Sequence, residues 1–244
     1  MSENTNNTEY SGTERRSKER IEIDEKVQAT TDWLISLDER VEKGLLTLEK
    51  KNRLIARSMV AREIFTERAN ERSKKDSLTG LLNKGAFKDD IKKLIEDEEI
   101  FSLALADING FKGTNDTFGH VTADKIIIQT GRNFGSVLRQ IRPEEGQNDR
   151  IYRIGGDEFA IILRGISTEE SLMYTCEKIR TFIAGNPYPV KENESKLHIP
   201  VTISLGAGVY RGEDAENFVK RVDTQGLYGS KKAGKNISVV VPTN

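Results

Sequence analysis

The sequence predicts an α/β fold with a mixed sheet, preceded by a helical segment. After Asp76, short β-branched runs alternate with helical patterns, and two of these runs flank Gly155-Gly156 as a hairpin. Before Asp76, no proline occurs from about residue 21 to residue 72, and apolar residues recur at helical spacing. Strands and helices that alternate around a hairpin indicate a sheet with helices packed on its faces.

Length and charge exclude several classes of protein. The 244 residues allow one full domain plus an appendage, or two small domains. Lys and Arg number 38 against 39 Asp and Glu, so the chain lacks the basic excess of a general nucleic-acid binder. No apolar run approaches the roughly 18 residues of a membrane span, and the N-terminus lacks the apolar region of a secretion signal. The lone Cys176 excludes an internal disulfide. We therefore expect a soluble, cytoplasmic protein that neither spans a membrane nor binds nucleic acid.

The N-terminal third has two predicted parts. Residues 1–20 are polar and aperiodic, so we expect disorder there. Residues 21–75 are predicted to be helical, as one long helix or as two helices broken near Gly44. A heptad pattern follows Ile23, Val27, Thr30, Leu34, Leu37 and Val41. One narrow apolar stripe must pack on something. A dimerising coiled-coil stalk satisfies that need, and so does a helix or helical hairpin folded back on its own domain.

The remaining residues, 76–244, are predicted to form one domain. Helices are expected over residues 86–95, 123–138 and 168–184, and over part of 217–232, where Gly226 and Gly229 weaken the pattern. Strands are expected over 101–106, 150–154, 159–163, 200–209 and 237–241, and a proline-containing loop over 186–189.

Acidic residues follow the buried strand and lie in the hairpin. Asp107 comes directly after the strand over 101–106, and Asp157 and Glu158 lie in the hairpin turn. Carboxylates on rigid backbone are the ligands that divalent cations need beside a triphosphate. The two glycines of the turn allow the backbone to approach a bulky ligand closely.

Four motifs together carry a family resemblance. They are Gly155–Phe159, which reads GGDEF; residues 76–84, DSLTGLLNK; residues 107–120, DINGFKGTNDTFGH, continuing to Asp124; and residues 227–236, LYGSKKAGKN. The last three resemble DxLTGLxNR, DxDxFKxxNDxxGHxxGD and LYxAKxxGRN. In this order, and over residues 76–236, the sequence resembles the GGDEF-domain diguanylate cyclases. The resemblance does not extend to residues 1–75.

The resemblance implies a palm-like nucleotide-cyclase fold, with a central, mostly antiparallel sheet flanked by helices. It implies that a homodimer condenses two GTP into cyclic di-GMP and releases two pyrophosphates, with Mg²⁺ as cofactor and Mn²⁺ as the alternative ion. An upstream regulator acting through the N-terminal helices is a further expected partner. Two alternatives stay open: a degenerate domain that binds GTP or a partner as a scaffold, and a coiled-coil adaptor with a passenger domain.

The resemblance also implies a role for each matching residue. The expected metal ligands are Asp107, the carbonyl of Ile108, Asp157 and Glu158, and the expected catalytic residues are Asp157, as base for the ribose 3′-hydroxyl, and Glu158. Asn115 and Asp124 match the guanine-binding positions, and Phe111, Lys112, Lys231 and Lys235 those near the triphosphate. His120 is either a ligand contact or a structural turn residue. Asp157 and Glu158 should point to opposite faces.

The spacing of these residues gives two further expectations. Lys231 and Lys235 are four residues apart, so they could share one helical face. Asn115 and Asp124 are nine apart, which suits a loop followed by a helix.

Several residues depart from the family pattern. Lys84 and Lys235 each replace an Arg, Asn109 replaces the second acid of DxD, Ala123 replaces a Gly, and the Asp expected shortly before Leu227 falls ambiguously at Asp223. Many members of the family bind their product at an RxxD motif. Here its Asp is Asp149, but Gly146 stands where the Arg should be, and Arg142 could substitute only if the loop folded back. We therefore expect no tight product binding there.

Overall fold

The computed structural model describes residues 25–26, 28–144, 148–192 and 195–242. The chain divides into two compact units between Asn70 and Glu71, close to the domain start expected at residue 76. The expectation of disorder over residues 1–20 lies outside the described residues, as do Ile23 and Val27 of the heptad pattern.

The N-terminal unit contains two helices rather than one long helix. Helix α1 covers residues 28–42, and α2 covers Leu48–Ser73. Gly44, in the turn between them, has a φ of 66°, in the left-handed region that glycine adopts at little cost. The break predicted near Gly44 is therefore confirmed.

Contacts between α1 and α2 show that the two helices fold back on each other. Lys51 of α2 forms an ion pair with Asp38 of α1. Further along, Arg62 Nη2 donates to Thr30 Oγ1 at 3.5 Å. Because later residues of α2 face earlier residues of α1, the pair is an antiparallel hairpin, and Leu37 is buried within this unit.

The second unit contains an α/β arrangement of thirteen named elements within the described residues. They are β1 (Leu82–Asn83), α3 (Lys84–Glu96), β2 (Phe101–Ile108), α4 (Phe111–Ile141), β3 (Arg150–Arg153), β4 (Glu158–Arg164), α5 (Glu169–Ala184), β5 (Tyr188–Glu192), β6 (Ser195–Ile199), β7 (Ile203–Val209), α6 (Ala215–Arg221), α7 (Tyr228–Lys232) and β8 (Ser238–Val240). A π-helical segment, Val222–Leu227, joins α6 to α7.

The central sheet has six strands in the order β1-β3-β4-β2-β7-β8. The three inner pairings are antiparallel, and the two outermost, β1 with β3 and β7 with β8, are parallel. This is the mostly antiparallel sheet that the sequence analysis expects, and the α/β fold class is confirmed.

Both faces of the sheet are covered. One face packs against α4 and α5 through residues such as Phe159, Phe134 and Ile179. The other packs against α3 and α6 through residues such as Leu105 and Phe218. Alternate residues of β2 therefore enter different core clusters, which is why the strand reads as a continuous apolar run. Each fully buried Leu, Ile or Phe stabilises the fold by about 1.5–3 kcal/mol.

Several elements differ from the expectations. Of the loop expected over 186–189, Tyr188 and Pro189 instead begin β5, which pairs with the unpredicted β6 as a separate two-stranded sheet. Helix α4 begins at Phe111, twelve residues before the predicted start, and contains a break at Gly119, where φ is 78°. The helical region before β8 continues past Gly226, because the π-helical segment accommodates that glycine.

Gly206 and Gly226 bring the π-helical segment against the sheet. A Cβ at Gly226 would lie 2.9 Å from the Cα of Gly206, and a Cβ at Gly206 would overlap the backbone of Leu227. Neither position can carry a side chain without moving the backbone, so glycine at both allows this close approach.

Within the described part of the chain, no helix is both long enough and apolar enough to cross a membrane.

Candidate active site

The predicted metal ligands lie at one end of two paired strands. Asp107 is the next-to-last residue of β2 and lies directly opposite Glu158, the first residue of β4. The N–H of Ile108 donates to the backbone carbonyl of Asp157 at 3.2 Å. Pairing of β2 with β4 therefore brings these four residues together, although about fifty positions separate them in the sequence.

The two acids of the signature are placed differently. Residues directly opposite in an antiparallel pair share a face, so Glu158 lies on the same face as Asp107. The Glu158 carboxylate folds over Gly155, where an added Cβ would overlap it. A side chain at position 155 would therefore displace the Glu158 carboxylate.

The charges at this end of the sheet favour a bound cation. Partial burial raises the pKa of Asp157, and the neighbouring Asp107 carboxylate raises it further, while Lys231 and Arg153 act in the opposite direction. Lys231 Nζ lies 2.8 Å from Asp107 Oδ2. The ammonium group thus supplies the positive charge that the two carboxylates require.

The donor set fits a hard divalent cation. The carboxylates of Asp107 and Asp157 supply the oxygens that Mg²⁺ prefers, and Ile108 lies directly beside them. In the described part of the chain, however, no three His, Cys, Asp or Glu side chains converge closely enough to hold a metal. Lys231 contacts Asp107, and Glu158 lies over Gly155, so a metal would need both side chains to move.

An ion pair that the sequence analysis missed holds the signature turn. Arg153 donates to both carboxylate oxygens of Asp76, at 3.1 and 3.2 Å, and to the carbonyl of Gly156, at 2.9 and 3.1 Å. Burial alone would raise the pKa of Asp76, but hydrogen bonds from Thr79 and Arg153 outweigh it and lower the pKa. The first residue of the entry motif therefore positions the turn that carries Asp157. Its place in that motif was the only available sequence signal.

The predicted guanine-binding residues lie on α4. Asn115 is on the first segment of this helix and Asp124 on the second, after the break at Gly119, so both are helical and the predicted loop is absent. The side-chain oxygen of Asn115 is buried without a hydrogen-bond partner in the structure described. Such groups are rare in folded proteins, and a ligand donor would satisfy this one.

The other predicted residues of α4 are placed near its start and its break. Phe111 is the first residue of the helix and packs against the core cluster beneath α4 and α5. Lys112 follows it, and His120 follows Gly119; both side chains are exposed, as is that of Asp124. Phe111 therefore anchors the start of the helix, while the polar groups face solvent.

The two lysines of the closing motif do not share a helical face, and that prediction is wrong. Lys231 is on α7, which ends at Lys232, whereas Lys235 follows a turn and has a φ of 62°. Arg180 of α5 donates to Asn236 Oδ1 at 3.0 Å and ties down this turn. Lys235 is exposed, and only Lys231 contacts a predicted metal ligand.

Two of the departures from the family pattern have structural partners. Asn109 donates to Thr202 Oγ1 at 3.1 Å and accepts from Ser204 Oγ at 2.7 Å, so its side chain fastens the end of β2 to the segment that enters β7. Ala123 is 2% exposed, and its methyl group fits the interior beneath α4. Lys84, the first residue of α3, is exposed.

Asp149, the one residue of the RxxD motif that this sequence retains, has a buried and hydrogen-bonded carboxylate. Arg142 donates to its two carboxylate oxygens at 2.7 and 3.3 Å, and the backbone N–H of Arg164 donates at 3.0 Å. The Asp149 side chain is 0% exposed. Arg142 does therefore reach Asp149, but in a buried ion pair; Gly146 lies outside the described residues.

The sequence matches a known family and several characterised relatives. Residues 73–237 match the family described as "Diguanylate cyclase, GGDEF domain". Diguanylate cyclase DosC of Escherichia coli K12 is 30% identical over 206 residues, which cover 82% of this chain and 42% of DosC. Response regulator PleD of Caulobacter vibrioides is 30% identical over 168 residues, which cover 67% of this chain and 35% of PleD. The chain thus spans less than half the length of these relatives.

Solved structures of the same fold extend the similarity toward the N-terminus. The coiled coil and GGDEF domain of DgcB from Caulobacter crescentus, in complex with c-di-GMP, matches with a TM-score of 0.67 at 26% identity, covering 80% of this chain and 100% of that one. Diguanylate cyclase SiaD of Pseudomonas aeruginosa, solved with its activator SiaC, matches with a TM-score of 0.63 at 26% identity, covering 96% and 87%. The fold, the arrangement of acids and these matches agree, and the chain belongs to the GGDEF-domain family of diguanylate cyclases.

Proposed function

We propose that the chain is a diguanylate cyclase that condenses two GTP into cyclic di-GMP and releases two pyrophosphates. The observation that carries the proposal is the meeting of Asp107 and Asp157 beside Lys231, at the end of the β2–β4 pair. A carboxyl group whose pKa is raised by burial and by a neighbouring acid, beside a movable cation, suits the handling of a metal-bound triphosphate.

The proposed reaction forms two phosphodiester bonds. In each step the ribose 3′-oxygen of one GTP bonds to the α-phosphorus of the other, the bond from that phosphorus to pyrophosphate breaks, and Asp157 accepts the 3′-hydroxyl proton. Burial and the neighbouring Asp107 raise the pKa of Asp157. A bound cation would lower it again, so the proposed role as base rests on the position of the Asp157 carboxylate. Bound Mg²⁺, or Mn²⁺, would supply charge stabilisation at the phosphates, held by Asp107, the Ile108 carbonyl, Asp157 and Glu158.

The remaining predicted residues would position GTP. The unpartnered amide oxygen of Asn115 and the exposed carboxylate of Asp124 suit the donors on the guanine edge. Lys231 would leave Asp107 and move to the triphosphate when the metal arrives, with Phe111, Lys112 and Lys235 beside it. This exchange keeps the carboxylates neutralised in both states.

The test is incubation of the purified chain with GTP and Mg²⁺, followed by mass detection of cyclic di-GMP. We expect product from the natural chain and none from Asp157→Asn. Asp116→Asn removes an exposed carboxylate from α4 and should leave the product yield unchanged. GTP binding without any product would instead favour the scaffold alternative.

We further propose that the chain acts as a homodimer joined through its N-terminal unit. Large apolar side chains remain exposed on the described part of that unit: Trp33, Leu34, Ile35, Leu45, Leu48, Leu54, Met59, Val60 and Ile64. Burying such groups against a second copy would be favourable, and one domain must face another for the two ribose attacks. The coiled coil of DgcB supports association at this region, and the complex of SiaD with its activator supports regulation by a partner.

Charge placed among these residues tests the dimer. Leu34→Glu and Met59→Glu should weaken self-association in sedimentation and lower specific activity at nanomolar protein, with recovery at high concentration. Asn52→Glu adds the same charge at an exposed polar position of α2 and serves as the control. Association unchanged in both apolar-site variants would refute an interface at this surface.

A further inference from the structure

A groove that shares one residue with the predicted GTP and metal site lies beside the signature turn. Its volume is about 680 Å³, and it lies between α3 and the helical stretch formed by α6 and the π-helical segment. Phe87, Ile91 and Leu227 are among the apolar residues that line it. This volume lies within the range of small-molecule sites. Of the residues predicted to bind GTP or metal, only Glu158 lines the groove.

One wall of the groove is a row of lysines. Lys84, Lys88 and Lys92 recur every four residues on α3, so they lie along one face and span about 12 Å of helix. Lys220 of α6 adds a fourth ammonium group. Among the described residues, none of these four side chains has an ion-pair partner. A row of unpaired cations beside apolar surface is suited to a ligand that is anionic along one edge.

The opposite wall contains the π-helical segment. Asp223 and Leu227, its second and last residues, both line the groove. Single π-helical turns inside α-helices occur frequently at functional sites. Asp223 is also the residue that fits the family pattern ambiguously. The unusual geometry and the departure from the family pattern therefore coincide at this groove.

Charge is distributed unevenly between the walls. The carboxylates of Glu216 and Asp223 lie on the α6 side, and that of Glu158 lies at the signature turn. The charged side chains that line the α3 wall are all lysines. An anionic ligand would therefore place its charges along α3 and its apolar part over Phe87 and Leu227. Its affinity would be limited by repulsion from the acids opposite.

We propose that this groove binds a second, non-substrate nucleotide, with its phosphates along Lys84, Lys88 and Lys92 and its base over the apolar floor. A bare polyphosphate shares the phosphate chemistry but would leave the floor uncovered. A nucleotide is therefore the better fit. The groove shares Glu158 with the proposed metal site but none of the guanine-binding residues, so ATP binding there is tested apart from cyclase activity.

The test is calorimetric titration of the full chain with ATP and, separately, with tripolyphosphate, in EDTA at low salt. We expect ATP to bind more tightly than tripolyphosphate, and its affinity to fall as salt rises. Lys88→Gln/Lys92→Gln should weaken ATP binding roughly tenfold, at a few-fold for each exposed charge. Lys93→Gln, a neighbouring exposed lysine of α3 that does not line the groove, is the matched control.

A substitution that should strengthen ATP binding complements the one that should weaken it. Asp223→Asn removes a repelling carboxylate and should tighten ATP binding a few-fold, while Asp124→Ala at the predicted guanine site should leave it unchanged. Absence of ATP binding at millimolar concentration, or equal affinity in Lys88→Gln/Lys92→Gln and Lys93→Gln, would overturn the site. Equal affinity for tripolyphosphate and ATP would overturn the assignment of a nucleotide.

Discussion

The two ends of the central sheet each hold an aspartate paired with a cationic side chain, but in contrasting ways. At one end, where Asp107 lies opposite Glu158, a single contact of 2.8 Å joins Asp107 to Lys231. At the other end, beyond the pairing of Phe101 with Arg164, Asp149 accepts two hydrogen bonds from Arg142. The Asp149 and Arg142 side chains are 0% and 11% exposed, whereas those of Asp107 and Lys231 are 15% and 34% exposed.

This difference separates a structural pair from an exchangeable one. A guanidinium group fixes a carboxylate through two donors, while an ammonium group on a flexible stem acts as a point charge that can leave. The oxygens of Asp149 are used by the protein and have no room for a ligand. Among the described residues, Asp107 is held by Lys231 alone, which the metal and triphosphate of the proposed reaction would replace.

The largest effect is expected from removing a carboxylate at the exchangeable end. Asp107→Asn or Asp157→Asn should lower turnover by at least about a thousandfold, because stabilisation by a metal ion is worth several kcal/mol. Folding should persist, since each substitution also removes the repulsion between the two acids. Cyclase assays and urea unfolding measure the two quantities separately. Normal activity in either variant would contradict the metal assignment.

A large loss of stability is expected at the structural end. Asp149→Ala leaves the largely buried Arg142 guanidinium without its counter-ion, which should cost about 3–5 kcal/mol of unfolding free energy. Replacing both members, as Arg142→Leu/Asp149→Leu, should cost clearly less because no unpaired charge remains. Urea denaturation of the three proteins tests this ordering. If the double variant were the least stable, an unpaired buried charge would not explain the loss of stability in Asp149→Ala.

Local patterns predicted most of this fold. The run from Phe101 to Ala106 and the hairpin around Gly155-Gly156 were predicted because buried strands and tight turns have strong local signatures. The start of α4 was missed because Gly110, Gly113 and Gly119 interrupt its helical pattern. Strand β5 was missed because prolines favour a loop, although a strand of an isolated two-stranded sheet tolerates them.

The site was predictable to the extent that it follows motifs. The acids Asp107 and Asp157 meet as the resemblance implies, but the support that Asp76 gives to Arg153 joins residues 77 positions apart. No periodicity encodes such a pairing. The position of Lys235 also depends on where α7 ends, which sequence spacing alone does not determine.

The buried state of Asp149 predicts how the proposed cyclase would respond to cyclic di-GMP. Initial velocities measured with added cyclic di-GMP at several GTP concentrations should show only inhibition that GTP relieves. Gly146→Arg restores the arginine of the motif, yet it should not create a tight site, because Arg142 already holds Asp149. Inhibition that persists at saturating GTP in the natural chain would show that this end of the sheet can open.

The smallest effect is expected at Asp76, which combines features of the buried Asp149 pair and of the more exposed Asp107 pair. Its side chain is 19% exposed, and it is paired with Arg153 at the exchangeable end, but its role is structural. Hydrogen bonds from Thr79 and Arg153 hold its pKa below the ordinary value, against the effect of burial. A carboxyl group with a lowered pKa in the folded state stabilises the protein above its unfolded pKa of about 3.9. That contribution is lost as the pH falls through the folded pKa. Unfolding free energy measured from pH 6 to pH 3 should therefore decline less steeply in Asp76→Asn than in the natural chain. Equal slopes would mean that Asp76 and Arg153 contribute no net charge interaction to stability.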